Sequence, residues 1–280
     1  MTLPHFLGIG ALKAGTTTLH AWLEAHPQVS LAEGRKEVMF FDRNWDRGVD
    51  WYAAHFAHAG DRVPGEVTPS YLYDPHAPAR AASVVPHARL LLMLRDPIAR
   101  LVSQHSFFVQ ETAYSGDLRT FLVDHPNAIE RGMYAQQVRC WLDHFPREAL
   151  LTLLLEEASA DPEIAVARAY AHVDVDPAFV PPNLRERANE SGTARFPTLR
   201  KLGRRTARWL YDHDLGPVVQ AVKRTGAQRL LVRAKKGPKD PMPADMRARL
   251  TDAYAADLAD LSKLLDRDLR QTWPTARAGT

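Results

Sequence analysis

The chain is expected to fold as an α/β protein, with a central, mainly parallel sheet flanked by helices, in one domain spanning residues 1–280. Three observations predict this. Apolar, strand-like runs alternate with amphipathic helical stretches. Two of those runs, ARLLLMLR (88–95) and EALLTLLLEE (148–157), are nearly continuous in apolar residues, as strands buried on both faces are. A third, HFLGIG (5–10), runs into a Lys/Gly/Thr turn and then a helical pattern. A length of 280 residues suits one large domain, and 45% hydrophobic residues can fill its core.

After the first strand, TTTLHAWLEAHP (16–27) reads as a helix with Leu19, Trp22 and Leu23 on one face and Pro27 beyond its end. DWYAAHFAHAG (50–60) reads as a second helix closed by Gly60. The strand 88–95 leads into DPIARLVSQHSFFVQ, where Asp96 can cap and Pro97 takes the first helical position. MYAQQVRCWLDHF aligns Tyr134, Val138, Trp141, Leu142 and Phe145. The stretch 244–269 is a long closing helix that aligns Met246, Leu250, Tyr254, Leu258, Leu261 and Leu265. Residues 180–243 are less regular and rich in Pro, Arg and Gly, as an irregular lobe over the sheet's active edge would be.

With 25% charged residues, the composition is neither that of a disordered chain nor that of a membrane protein. No apolar run approaches the roughly 20 residues that span a bilayer. MTLPHFLGIG reads as a strand rather than a secretion signal. Cys140 is the sole cysteine, which excludes an intramolecular disulfide and suits a reducing, cytoplasmic compartment. Net charge is +3, but residues 185–239 alone hold 15 Lys/Arg against 4 Asp/Glu, so the rest of the chain is acidic. This basic segment is either a solvated surface or a face toward an anionic cofactor, acceptor or membrane. No aromatic-interleaved basic motif points to nucleic acid. Nothing in the sequence indicates the oligomeric state.

Three segments carry chemistry. GIGALKAGTTTL (8–19) is a strand, a glycine turn and a helix opening on threonines. Helix N–H groups, hydroxyls and the positive dipole end make a phosphate cradle, with Lys13 as a point charge. The same pattern also fits an ordinary strand–turn–helix with a threonine cap. Lys13 precedes Gly15, so the G-x-x-x-x-G-K-[ST] loop of nucleotide triphosphatases, with its magnesium logic, is absent. In LLMLRDPIARLVS (91–103) a buried strand delivers Arg95 to its carboxyl end, where α/β sheets place ligands, and Ser103 follows on the helix. Arginine suits a phosphate, although Arg95 and Asp96 could equally be a capping pair. In RKEVMFFD (35–42), Glu37 is either a general base or one half of a surface salt bridge with Arg35 or Lys36. His55 and His58 are three apart on a helix, but they lack a third metal ligand and read as a solvated face. The aromatics Trp51, Tyr52, Phe107, Phe108 and Tyr134 read mostly as core.

In order and spacing these segments resemble the family of sulfotransferases that use 3′-phosphoadenosine 5′-phosphosulfate (PAPS). KAGTTTL looks like its 5′-phosphosulfate loop and LRDPIARLVS like its 3′-phosphate motif. KEVMFFD, DWYAAHF, GEVTPSYLYDPHAPARAASVVPHARLLLMLRDP, RGMYAQQVRCWLDHFPREALLTLLLEEASADP and LLDRDLRQTW are similar to the heparan-sulfate N- and O-sulfotransferase branch and its bacterial relatives. The resemblance covers nearly the whole chain, with 180–235 its weakest stretch. It implies that Lys13, Ala14, Gly15, Thr16 and Thr17 hold the phosphosulfate, with Lys13 also steadying the leaving phosphate. It implies that Arg95 and Ser103 hold the 3′-phosphate, that Glu37 takes the acceptor's proton, and that Glu66 lies near the acceptor. It further implies that Lys236 and Gly237 form a late cofactor loop and that no metal is needed. The chain departs from the pattern at Val67, where heparan-type enzymes carry lysine, and at Pro238, which replaces an arginine. Read from the residues alone, a phosphoryl transferase and a non-catalytic nucleotide-binding protein remain as alternatives.

Overall fold

The structure, a computed structural model, describes residues 1–112, 114–186, 193–194, 206, 232–233 and 242–277. Five parallel strands, β1 (Phe6–Gly10), β2 (Val29–Leu31), β3 (Val63–Val67), β4 (Arg89–Leu94) and β5 (Leu150–Leu154), form a sheet in the order β2-β3-β1-β4-β5. The expected α/β architecture is the one observed. β1 lies at the centre, and its Phe6 pairs with both Gly65 and Arg89.

Alternating side chains split the core into two layers, because successive strand residues point to opposite faces. Phe6, Leu91, Met93 and Leu153 pack with Leu19, Trp22 and Leu23 of α1 (Thr16–Ala25) on one face. Leu7, Ile9, Leu90, Leu92 and Leu94 face the opposite, larger cluster. In chain order the next helices are α2 (Phe40–Arg43), α3 (Gly48–Ala54), α4 (Ala77–Val84) and α5 (Pro97–Thr112). They are followed by α6 (Leu118–Asp124), α7 (Asn127–Glu130), α8 (Tyr134–Leu142), α9 (Leu155–Ala160) and α10 (Pro162–His172). The last two are α11 (Ala244–Leu265) and α12 (Pro274–Arg277). The six aligned residues of α11, Met246 to Leu265, are all buried.

Several elements differ from the sequence reading. The helix expected over 50–60 ends at Ala54, because the His55 carbonyl accepts the Glu33 N–H instead of continuing the helical ladder. β5 stops at Leu154 and α9 begins at Leu155. β3 was not anticipated, since VPGEV carries two residues that disfavour strands. Both are accommodated. The Pro64 carbonyl still accepts the His5 N–H, and a Cβ on Gly65 would lie 2.2 Å from the Phe6 ring, so only glycine fits there.

Candidate active site

The loops after β1 and β4 open side by side at the carboxyl edge of the sheet. Residues 11–15 connect β1 to α1. Gly15 is the N-cap of α1 in a left-handed conformation (φ 92°), and no side chain caps the helix, so its first N–H groups face outward. A Cβ on Gly15 would stand 2.6 Å from Leu155 Cδ1, which ties the loop closely to α9. Lys13 is also left-handed (φ 68°), a conformation that costs a non-glycine residue about 1–3 kcal/mol.

The Lys13 ammonium lies 4.2 Å from the centroid of the Phe107 ring. Burial pushes its pKa below the usual lysine range, Glu111 opposes this, and Arg95 and Lys36 add to it. Arg95 follows β4 and its Nη1 donates to the Lys13 carbonyl at 3.4 Å, so both cations occupy one mouth. The backbone around Arg95 is well anchored. Its carbonyl accepts the Tyr134 hydroxyl at 2.9 Å, and the Asp96 carboxylate accepts from Ala99, as an N-cap, and from the Thr275 N–H and hydroxyl. Ser103 is half-buried on α5, one helical turn before Phe107, which places it on the face of α5 turned toward Lys13.

Glu37 is half-buried in the chain entering α2, and its carboxylate lies within electrostatic reach of Lys13. The structure thus brings Lys13, Ala14, Gly15, Thr16, Thr17, Arg95, Ser103 and Glu37 to one edge of the sheet. Glu66 stands behind that edge. It is 1% exposed and accepts the hydroxyls of Tyr52 (2.6 Å), Tyr71 (2.8 Å) and Thr68 (2.6 Å). Val67 points to the opposite core face, where it fills the space over Gly8. Lys236 and Gly237 lie outside the described residues.

Two contributors were missed in the sequence. Lys36 Nζ donates to Thr17 Oγ1 at 3.1 Å, which adds a third cation to the loop. His20 sits one turn along α1 from Thr16 with its side chain 12% exposed. The approach of Lys36 to Thr17 and to His20 is tertiary, so no local pattern announced it. Burial, and then Lys36, push the His20 imidazole down to about 3. The unfolded chain would therefore take up a proton below about pH 6.5 that the folded chain refuses, and stability should fall as pH drops from there toward 3. Between pH 6.5 and 5 this amounts to about 2 kcal/mol. Denaturant titrations at pH 7 and pH 5 should show that loss in the parent protein and not in His20→Gln.

As a donor set, outward helix N–H groups, three cations and threonine hydroxyls fit a multiply charged phosphate-type anion. Among the described residues, no group of three His, Cys, Asp or Glu is placed to hold a metal, and no helix is long and apolar enough to cross a membrane.

Comparison with known proteins follows the same lines. Heparan sulfate glucosamine 3-O-sulfotransferase 3B1 of Homo sapiens is 33% identical over 173 residues, 57% of this chain and 43% of that protein. The bifunctional heparan sulfate N-deacetylase/N-sulfotransferase 3 of Mus musculus is 30% identical over 295 aligned positions, covering 95% of this chain and 30% of that protein. The membrane-associated sulfotransferase kil1 of Dictyostelium discoideum is 37% identical over 39% of this chain and 24% of its own length. The chain thus spans less than half the length of each of these relatives. The crystal structure of a sulfotransferase from Alicyclobacillus acidocaldarius superposes with a TM-score of 0.70 at 25% identity, covering 97% of this chain and 99% of that one. A model of the sulfotransferase domain matches residues 3–261, and the chain belongs to that family.

Proposed function

We propose that this chain, as one domain, transfers a sulfuryl group from PAPS to a hydroxyl or amine of an acceptor. The observation that carries the reading is the shared mouth of the β1 and β4 loops, where the Arg95 guanidinium donates to the Lys13 carbonyl at 3.4 Å beside the opening of α1. PAPS supplies the sulfuryl group and an adenosine 3′,5′-bisphosphate leaving group. The N–H groups of residues 15–17, with Lys36 reinforcing Thr17, hold the 5′-phosphosulfate. Arg95 and Ser103 hold the 3′-phosphate. Lys13 meets the charge that grows on the leaving phosphate as its oxygen–sulfur bond breaks. Glu37 takes the proton from the acceptor atom as that atom bonds to sulfur. Positioning and charge stabilisation supply most of the rate, with no metal ion required. The buried valine at 67 presents no cation to an anionic glycan, which favours an acceptor other than heparan. The lone Cys140 supports a reducing, cytoplasmic setting.

Adenosine 3′,5′-bisphosphate should bind about ten- to a hundredfold more tightly than AMP, the usual worth of one charge-assisted contact. Calorimetric titration of both nucleotides, with and without EDTA, checks this. Equal affinities would remove the 3′-phosphate site, and a strict need for a divalent ion would favour a phosphoryl transferase.

A further inference from the structure

We infer that Glu66 is a positioning residue for Glu37, acting through the backbone of the turn that follows it. The proposal rests on the reading of Glu37 as the base. Two successive N–H groups in the turn after Glu37 end on hydroxyls that Glu66 orients, and the Val38 N–H just before them lies near enough to the Glu66 carboxylate to lower its pKa. The Met39 N–H donates to Thr68 Oγ1 at 3.4 Å, and that hydroxyl donates on to Glu66 Oε2 at 2.6 Å. The Phe40 N–H donates to the Tyr71 hydroxyl at 2.9 Å, which donates on to Glu66 Oε1 at 2.8 Å.

Both hydroxyls donate their proton to a Glu66 oxygen and accept a backbone N–H on a lone pair, and a glutamine at 66 offers one acceptor oxygen where the carboxylate offers two. Tyr52 supplies a third hydroxyl at 2.6 Å to the same carboxylate. Burial raises the Glu66 pKa, and hydrogen bonds from Thr68, Tyr52, Tyr71 and Val38 oppose that rise. The turn needs holding, because Met39 is left-handed (φ 54°), a strained conformation that persists only where its surroundings fix it. Its carbonyl side is fixed as well, since Asn44 Nδ2 donates to the Val38 and Met39 carbonyls at 2.9 and 3.1 Å. Glu66 is paired with Leu7 of β1, the strand that runs on into the Lys13 loop. One buried carboxylate therefore links the strand carrying the leaving-group lysine to the turn carrying the base.

Glu66→Gln keeps the volume and removes the charge. Amide hydrogen exchange at Met39 and Phe40 should accelerate by about tenfold or more while the bonded amides of Thr18 and Leu19 stay protected. Affinity for adenosine 3′,5′-bisphosphate should change by less than about twofold. PAPS consumption, with water or 2-naphthol as acceptor, should fall in kcat by about ten- to a hundredfold with little change in KM for PAPS. In a Glu37→Gln background, Glu66→Gln should cost nothing further. Should Glu66→Gln fail to fold, Tyr71→Phe removes the Phe40 acceptor together with one of the three hydroxyl donors to Glu66, and should free that amide and lower kcat. Unchanged exchange at Met39 and Phe40, or fully additive losses in the double variant, would overturn the proposal. Full activity of Glu37→Gln alone would instead overturn the reading of Glu37 as base, and the exchange result would then still decide what holds the turn.

Discussion

Lys13→Ala is expected to lower turnover by about 10²–10³-fold, the usual cost of removing one group that stabilises developing charge. The fold should persist. The side chain lies over one face of Phe107 at 4.2 Å, a contact worth about 0.5–1 kcal/mol at a partly open site. Alanine has no more difficulty than lysine with the left-handed backbone at this position. Binding of adenosine 3′,5′-bisphosphate should weaken only modestly, because Arg95, Lys36 and the helix N–H groups remain. The larger loss falls on kcat, since the lysine charge gains most where the leaving phosphate becomes more negative. Lys13→Met separates charge from packing by keeping the stem over Phe107, and it should be as slow as alanine. Circular dichroism and initial rates on the same samples check both points. A folded variant with normal kcat would take Lys13 out of the mechanism.

Glu37→Gln is expected to lower kcat by about 10²–10⁴-fold, the contribution of a positioned base, with cofactor affinity almost unchanged. The acceptor atom is a poor nucleophile until its proton leaves, and glutamine keeps the shape without the basicity. Other candidates are poorly placed. Glu66 is enclosed by three hydroxyls, and His105 Nε2 is already bonded to the Gly116 carbonyl at 2.8 Å. Rates and bisphosphate titrations should be read together. Loss of cofactor binding with a normal rate at saturation would make Glu37 structural.

The loop after β1 was legible in the sequence because its chemistry is local. A strand end, Lys13, Gly15 and three threonines adjoin one another, and the αL geometry of Gly15 follows from that order. Arg95, Asp96 and Pro97 were legible for the same reason, and Asp96 does cap α5. What remained hidden is tertiary. Glu66 draws its partners from Tyr52 on α3, Thr68 after β3 and Tyr71 three residues further on, and no periodicity reveals that they converge. Glu66, expected near the acceptor, is 1% exposed and hydrogen-bonded to these three hydroxyls. Lys36 looked like a flanking charge on Glu37 until the fold placed it against Thr17. Phe107 read as core, yet its ring lies beneath Lys13. β3 was hidden by Pro64 and Gly65, whose fit depends on the neighbouring β1.

Sulfuryl transfer itself is tested most directly by incubating the protein with sulfur-labelled PAPS and a panel of phenols, amines, glycans and lipid headgroups. Mass spectrometry then reads acceptor and nucleotide together. The account predicts an acceptor that gains one labelled sulfuryl group, with adenosine 3′,5′-bisphosphate formed in equal amount and no dependence on a divalent ion. Absence of any labelled product, with phosphoryl transfer from ATP in the same panel, would contradict it.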